Sequence, residues 1–169
     1  MTNIGYISIQ FPMAIIIYLV IYRAYLRDWL QEQSFEQAVL PFLILHVFRY
    51  LGLTLLVTGQ VSPEVSRSAL SAMAWGDLAS GVAALAAVLA IRLGSRFSVP
   101  LVVLFSIVGI GDLINVGPTA LSAGVLDASI GTMWFLMVIY APALLLSHIY
   151  IIYRLFLHFR PNATADQQA

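Results

Sequence analysis

The chain has 169 residues, of which 61% are apolar and 9% charged, with eight arginines, no lysine and eight aspartates plus glutamates for a net charge of zero. Soluble domains are about half apolar and about a quarter charged, so an ordinary soluble globule is excluded, and with it a disordered chain and a basic nucleic-acid footprint. The absence of cysteine excludes disulfides, thiolate metal centres and iron–sulfur clusters.

Five apolar runs use up most of the apolar inventory: 6–25, 37–58, 69–91, 97–116 and 131–156. Each is about 20 residues or longer, enough for about 30 Å of hydrocarbon. Lipid forces the backbone to satisfy itself internally, so runs rich in Ile and Leu read as helices, and the alternation of a membrane barrel is missing. The expected fold is an all-α polytopic membrane protein, a five-helix bundle forming one domain over 1–160, with a flexible polar tail at 161–169. The first run has no positive leader and no small-residue cleavage site after it, so it reads as a span and not as a cleaved signal.

After the first span, Arg27 to Glu36 reads as a polar hairpin carrying Trp29 and Phe35 to the interface. The second span holds His46 and Arg49, three residues apart and therefore on one face. Gln60 to Arg67 is a turn with Ser and Pro as its start signal. Asp77 lies on the third span, where Ala74, Ser80, Gly81 and Ala84 share its face. Small residues let helices approach closely, which predicts a central helix with a buried carboxylate. Ser98 and Pro100 read as the cap and first turn of the fourth span. That span carries Gly109, Gly111, Asp112 and Asn115, which predicts a bend or break, and Gly117-Pro118 is expected to close it. In the fifth span Pro142 frees the carbonyl of Val138 and predicts a kink before His148.

Six arginines, Arg23, Arg27, Arg92, Arg96, Arg154 and Arg160, fall at one end of the spans and only Arg67 at the other. The positive-inside rule then places the N-terminus outside and the C-terminus in the cytoplasm of a bacterial inner membrane. Tyr22, Tyr25, Trp29, Tyr153 and Phe159 would lie at the inner boundary, and Tyr6, Trp75 and Trp134 at the outer one.

Ionisable residues within an apolar span are expensive, at about 2.5–3.5 kcal/mol each at a helix centre, so they should face inward and find partners. Counting along the spans places Arg49, Asp77 and Asp112 in the outer half and His46 near the centre. His148 falls in the inner half, about 5 Å deeper. One Arg against two Asp leaves a surplus negative charge, which a proton on a carboxyl or on His46 would balance.

The segments His46-Val-Phe-Arg-Tyr-Leu-Gly-Leu53, Gly76-Asp-Leu78, Gly109-Ile-Gly-Asp-Leu113 and Ser147-His148 resemble those of a group of small uncharacterised bacterial membrane proteins. In that group an H-x-F-R-x-x-G-L stretch is followed by two G-D-L-like segments and a late histidine. The likeness covers about Leu40 to Leu155. It implies no activity, so no catalytic role carries over. Size and span number are also similar to the tryptophan-rich translocator proteins. With only Trp29, Trp75 and Trp134 and no aromatic-rich loop pattern, that likeness is set aside.

Four readings of the polar residues follow. The first is a ligand or proton site built from Arg49, Asp77, Asp112, His46 and Asn115, relaying or binding a small molecule, ion or proton. The second is a b-type haem held by His46 and His148, with Arg49 beside a propionate. The third is a metal enzyme with His46, Asp77, Asp112 and His148 as ligands. The fourth is a purely structural ion network that fixes helix register. The expected partner is the lipid bilayer, with no nucleic acid. Broad apolar faces leave room for a homo-oligomer or for lipid.

Overall fold

The computed structural model describes residues 2–160; the expected tail at 161–169 lies outside the described residues. Five helices are each long and apolar enough to cross a membrane: α1 (Asn3–Glu32), α2 (Phe35–Leu56), α3 (Arg67–Arg92), α4 (Ser98–Ser122) and α5 (Met133–Phe159). Local chemistry sets several of the ends. Thr2 accepts from the Gly5 N–H at the start of α1, and Ser34 accepts from the Gln37 N–H at the start of α2, both serving as N-caps.

The α3 and α4 C-termini share one device. At Gly94 (φ +60°) the Ser95 N–H reaches back to Ala90 O at 2.9 Å and the Gly94 N–H to Ile91 O at 3.1 Å. At Gly124 (φ +69°) the Val125 N–H reaches Ala120 O at 3.0 Å and the Gly124 N–H Leu121 O at 3.2 Å. Both are Schellman closures, in which a left-handed glycine turns the chain back onto the last free carbonyls. The fourth helix therefore runs past Gly117-Pro118, the expected stop. Gly117 keeps an ordinary φ, and the carbonyl that Pro118 leaves unbonded belongs to Ile114, which is exposed. The hairpin expected over Arg27 to Glu36 is likewise mostly helical, with its turn confined to Gln33 and Ser34.

Contacts between helix ends fix an up-and-down arrangement. At one end Asn3 donates to Ala128 O (3.1 Å), Trp134 Nε1 to Gln10 Oε1 (2.8 Å), and Thr132 Oγ1 to Gln60 Oε1 (2.9 Å). At the other, Ser98 donates to Glu36 while Arg154 reaches Leu30 O and Gln33 O. The small residues of α3 do what their size predicts: Ala74, Ser80, Ala84 and Ala87 are fully buried, with α2 and α4 packed on either side. Helix α1 stands apart, with no buried residue between Asn3 and Ile21.

Two apolar clusters fill the interior. One holds Val39, Leu43, Ala84, Ala87, Val102, Phe105, Ile151 and Leu155. The other holds Val65, Leu70, Met73, Val125, Ile130 and Met133. Apart from Ser98 at the start of α4, the buried polar residues of α2 to α5 fall between the two clusters.

Three departures from α geometry border that polar layer or the helix ends. Tyr22–Leu26 and Leu136–Tyr140 are π-turns, and Phe48–Leu56 of α2 is wound as a 3-10 helix. The second π-turn ends just before Pro142, whose missing N–H disturbs the preceding turn. Helix α4, expected to bend or break at its glycines, is instead continuous. His148 packs beside Gly109 with the helix unbroken around it.

Candidate functional site

Arg49 sits on the first turn of the 3-10 segment of α2 and is only 2% exposed. Its Nε donates to Asp77 Oδ1 at 2.9 Å, and its Nη2 donates to Asp112 Oδ2. One guanidinium thus joins α2 to both α3 and α4. The Asp112 side chain is nearly closed off at 5% exposure, whereas that of Asp77 retains 23%. Arg49 Nη1 is buried and has no partner in the protein.

Glycines make this geometry possible. A Cβ on Gly52 of α2 would fall on the Asp77 carboxylate, and a Cβ on Gly76 of α3 would fall on Asp112 Oδ1. A Cβ on Gly109 of α4 would lie 2.6 Å from Cε1 of His148. Each helix therefore offers a bare patch of backbone on which the polar side chain of the next helix is seated. The motif glycines are as much a part of the site as the charges beside them, and only glycine allows backbone and side chain this close. Sequence reasoning gave Gly109 a bend or break in the fourth span, and named Gly52 and Gly76 only within the motif segments. The signal that could have found their role is their placement, one residue before Asp77 and three before Asp112.

The histidines form a separate layer. His46 Nε2 lies 3.0 Å from Ser147 Oγ, whose proton goes to Leu144 O at 3.0 Å. His148 Nε2 donates to Ser106 O at 3.3 Å. These bonds assign the proton of each neutral ring to Nε2 and leave both Nδ1 atoms buried without a partner. The rings meet edge to face with centroids 5.2 Å apart, and Phe105 packs at 4.8 Å and 5.1 Å from them. His148 is thus level with His46 and not deeper. The true helix ends put both residues close to the middle of their helices, whereas the composition-based ends did not.

This arrangement corrects three expectations. Axial haem ligands face each other across an iron, each presenting a ring nitrogen to it. Here the rings touch edge-on, both Nε2 atoms are engaged elsewhere, and no slot for a macrocycle separates them. The residues present do not fit a bis-His haem. Nor do His46, Asp77, Asp112 and His148 converge, since Arg49 takes both carboxylates; among the described residues no three His, Asp or Glu side chains are placed to hold a metal ion. Asn115 is exposed, its Oδ1 accepting from Thr119 at 3.3 Å. Three residues beyond Asp112, it is turned about 60° around the helix from that carboxylate.

One side of the triad borders a cavity of about 160 Å³. Its walls are apolar, with Met73, Met133 and Leu144 among them, and its polar groups are Arg49, Asp77 and Tyr140. The Tyr140 hydroxyl donates to Leu45 O at 2.7 Å, tying the end of the α5 π-turn to the last turns of α-geometry in α2. Nothing in the sequence singled out Tyr140, which stands in an apolar run two residues before Pro142.

No curated protein and no solved structure matches the chain. The model of a family described as a domain of unknown function, DUF8737, matches residues 6–156. With its four polar segments and nearly all of its five helices inside that match, the chain belongs to the DUF8737 family.

Proposed function

We propose that this protein binds a small cationic molecule, in exchange for a proton, at the Arg49–Asp77–Asp112 triad within a bundle embedded in the bacterial inner membrane. The observation that carries the reading is the partly open Asp77 carboxylate at the wall of an otherwise apolar cavity, with one guanidinium for two carboxylates. In low dielectric the surplus charge must be balanced, and a proton and a ligand ammonium are alternatives for the same task. The cavity, at about 160 Å³, is close to the roughly 150 Å³ that holds a benzene ring in an apolar protein interior. A ring or short alkyl chain bearing one positive charge matches it in size and polarity. The unpartnered Nδ1 atoms of His46 and His148 lie in the adjoining layer, where they can pass on a proton that leaves the triad. The arginine-rich end faces the cytoplasm, with the N-terminus outside.

Benzylammonium is the matching probe. Binding to the protein in nanodiscs, followed by calorimetry in buffers of different ionisation heat, is expected to release about one proton per ligand. Asp77→Asn should abolish both the binding and the release. Undiminished affinity in Asp77→Asn, or no binding to the unaltered protein, overturns the reading. A structural role for the same network is favoured by one observation, the packing of Asp77 and Asp112 onto bare glycine backbone. On that reading the two variants lose stability without any ligand effect.

A further inference from the structure

A second feature lies outside the triad. Between α1, α2 and α5 runs a crevice of about 490 Å³, lined by Leu19, Phe42, Leu45 and Leu146 with few polar atoms. It exists because α1 touches the bundle only along one edge, where the Tyr18 hydroxyl donates to Ile139 O at 3.0 Å. Toward the α1–α2 turn the crevice shares Tyr22, Tyr150 and Tyr153 with a polar hollow of about 330 Å³. Arg154, His158 and Gln31 line that hollow. Adjoining at these tyrosines, the two form a track that is apolar for most of its length and polar at one end.

The charge at the polar end is fixed in place and uncompensated. Arg154 donates through Nη1 to Leu30 O (2.8 Å) and the Tyr150 hydroxyl (3.1 Å), and through Nη2 to Gln33 O (2.9 Å). All three acceptors are neutral, and among the described residues the only salt bridges are those of Arg49. A guanidinium so held has N–H groups to spare for an anion. Arg23, Arg27 and Arg160 belong to the same end of the helices.

We propose that this track is a binding site for an anionic phospholipid, one acyl chain lying in the crevice between α1 and α5 and the phosphate headgroup meeting Arg154. The site is independent of the triad and stands whether or not the triad binds a ligand. Apolar length and a terminal positive charge match an amphiphile with a negative head. A free phosphate would use only the hollow and leave the crevice without a role.

Native mass spectrometry of the full chain, titrated with phosphatidylglycerol against phosphatidylcholine of the same chains, tests it. The expected result is a saturable one-to-one adduct with phosphatidylglycerol, about tenfold tighter than with phosphatidylcholine. Arg154→Gln removes the preference and Arg154→Lys retains most of it. Arg154 also holds the α1–α2 turn, so a second variant, Leu146→Trp, fills the crevice without touching the arginine and should weaken the adduct by a similar factor. Equal binding of the two lipids, or an adduct unaltered in both Arg154→Gln and Leu146→Trp, overturns the proposal. Displacement by inorganic phosphate alone would identify a phosphate site and overturn the lipid assignment.

Discussion

Arg49 holds two carboxylates from different helices, so losing its charge leaves both without a counter-ion in an apolar interior. Arg49→Met is expected to destabilise by about 3–5 kcal/mol. The triple variant Arg49→Met, Asp77→Leu, Asp112→Leu should recover a large part of that loss, because no charge then remains buried. Unfolding in mixed micelles measures both. The two glycines of the Gly109-Ile-Gly111 segment give a sharper contrast. A Cβ at Gly109 meets His148 at 2.6 Å, whereas at Gly111 it meets nothing within 4 Å. Gly109→Ala should cost about 1–3 kcal/mol by overpacking, and Gly111→Ala should be neutral or gain up to about 1 kcal/mol of helix propensity. That Arg49 would seek aspartates was legible in the sequence, because a charge among apolar residues has few ways to be satisfied. The glycine seats and the Tyr140 bond were not legible, since both depend on how helices distant in sequence are rotated against each other.

At the scale of the element, hydrophobic length alone located five helices, since an apolar run of this length has few alternatives to a helix. Where each helix ends was harder to read. Gly117-Pro118 carries the composition of a stop, yet the closure bonds form about two turns later at Gly124. A stop needs a left-handed residue with carbonyls free behind it, and composition shows only the first half of that requirement. Gly124→Ala is therefore expected to cost about 1 kcal/mol or more and to fray the end of α4, with Gly117→Ala near neutral. Thermal unfolding combined with hydrogen exchange over residues 115–125 distinguishes the two. Pro142 marked a disturbance of the preceding turn without giving its form, a π-turn, and no residue marked the 3-10 segment after Val47.

For the molecule as a whole, most of the buried polar residues lie between two apolar clusters, and six of the eight arginines gather at one end of the helices. The absence of native cysteine makes the orientation directly testable. A single thiol introduced by Glu64→Cys in the α2–α3 connection should react with an impermeant maleimide in intact cells. One introduced by Leu93→Cys in the α3–α4 connection should react only after the membrane is opened; the reverse pattern would invert the bundle. The order of the glycine seats carries a consequence for biogenesis. Asp77 plugs into Gly52, Asp112 into Gly76 and His148 into Gly109, and in every case the socket precedes the plug along the chain. A ribosome delivering the helices in turn thus makes each receptacle before the side chain that needs it, and no later aspartate or histidine emerges ahead of its seat.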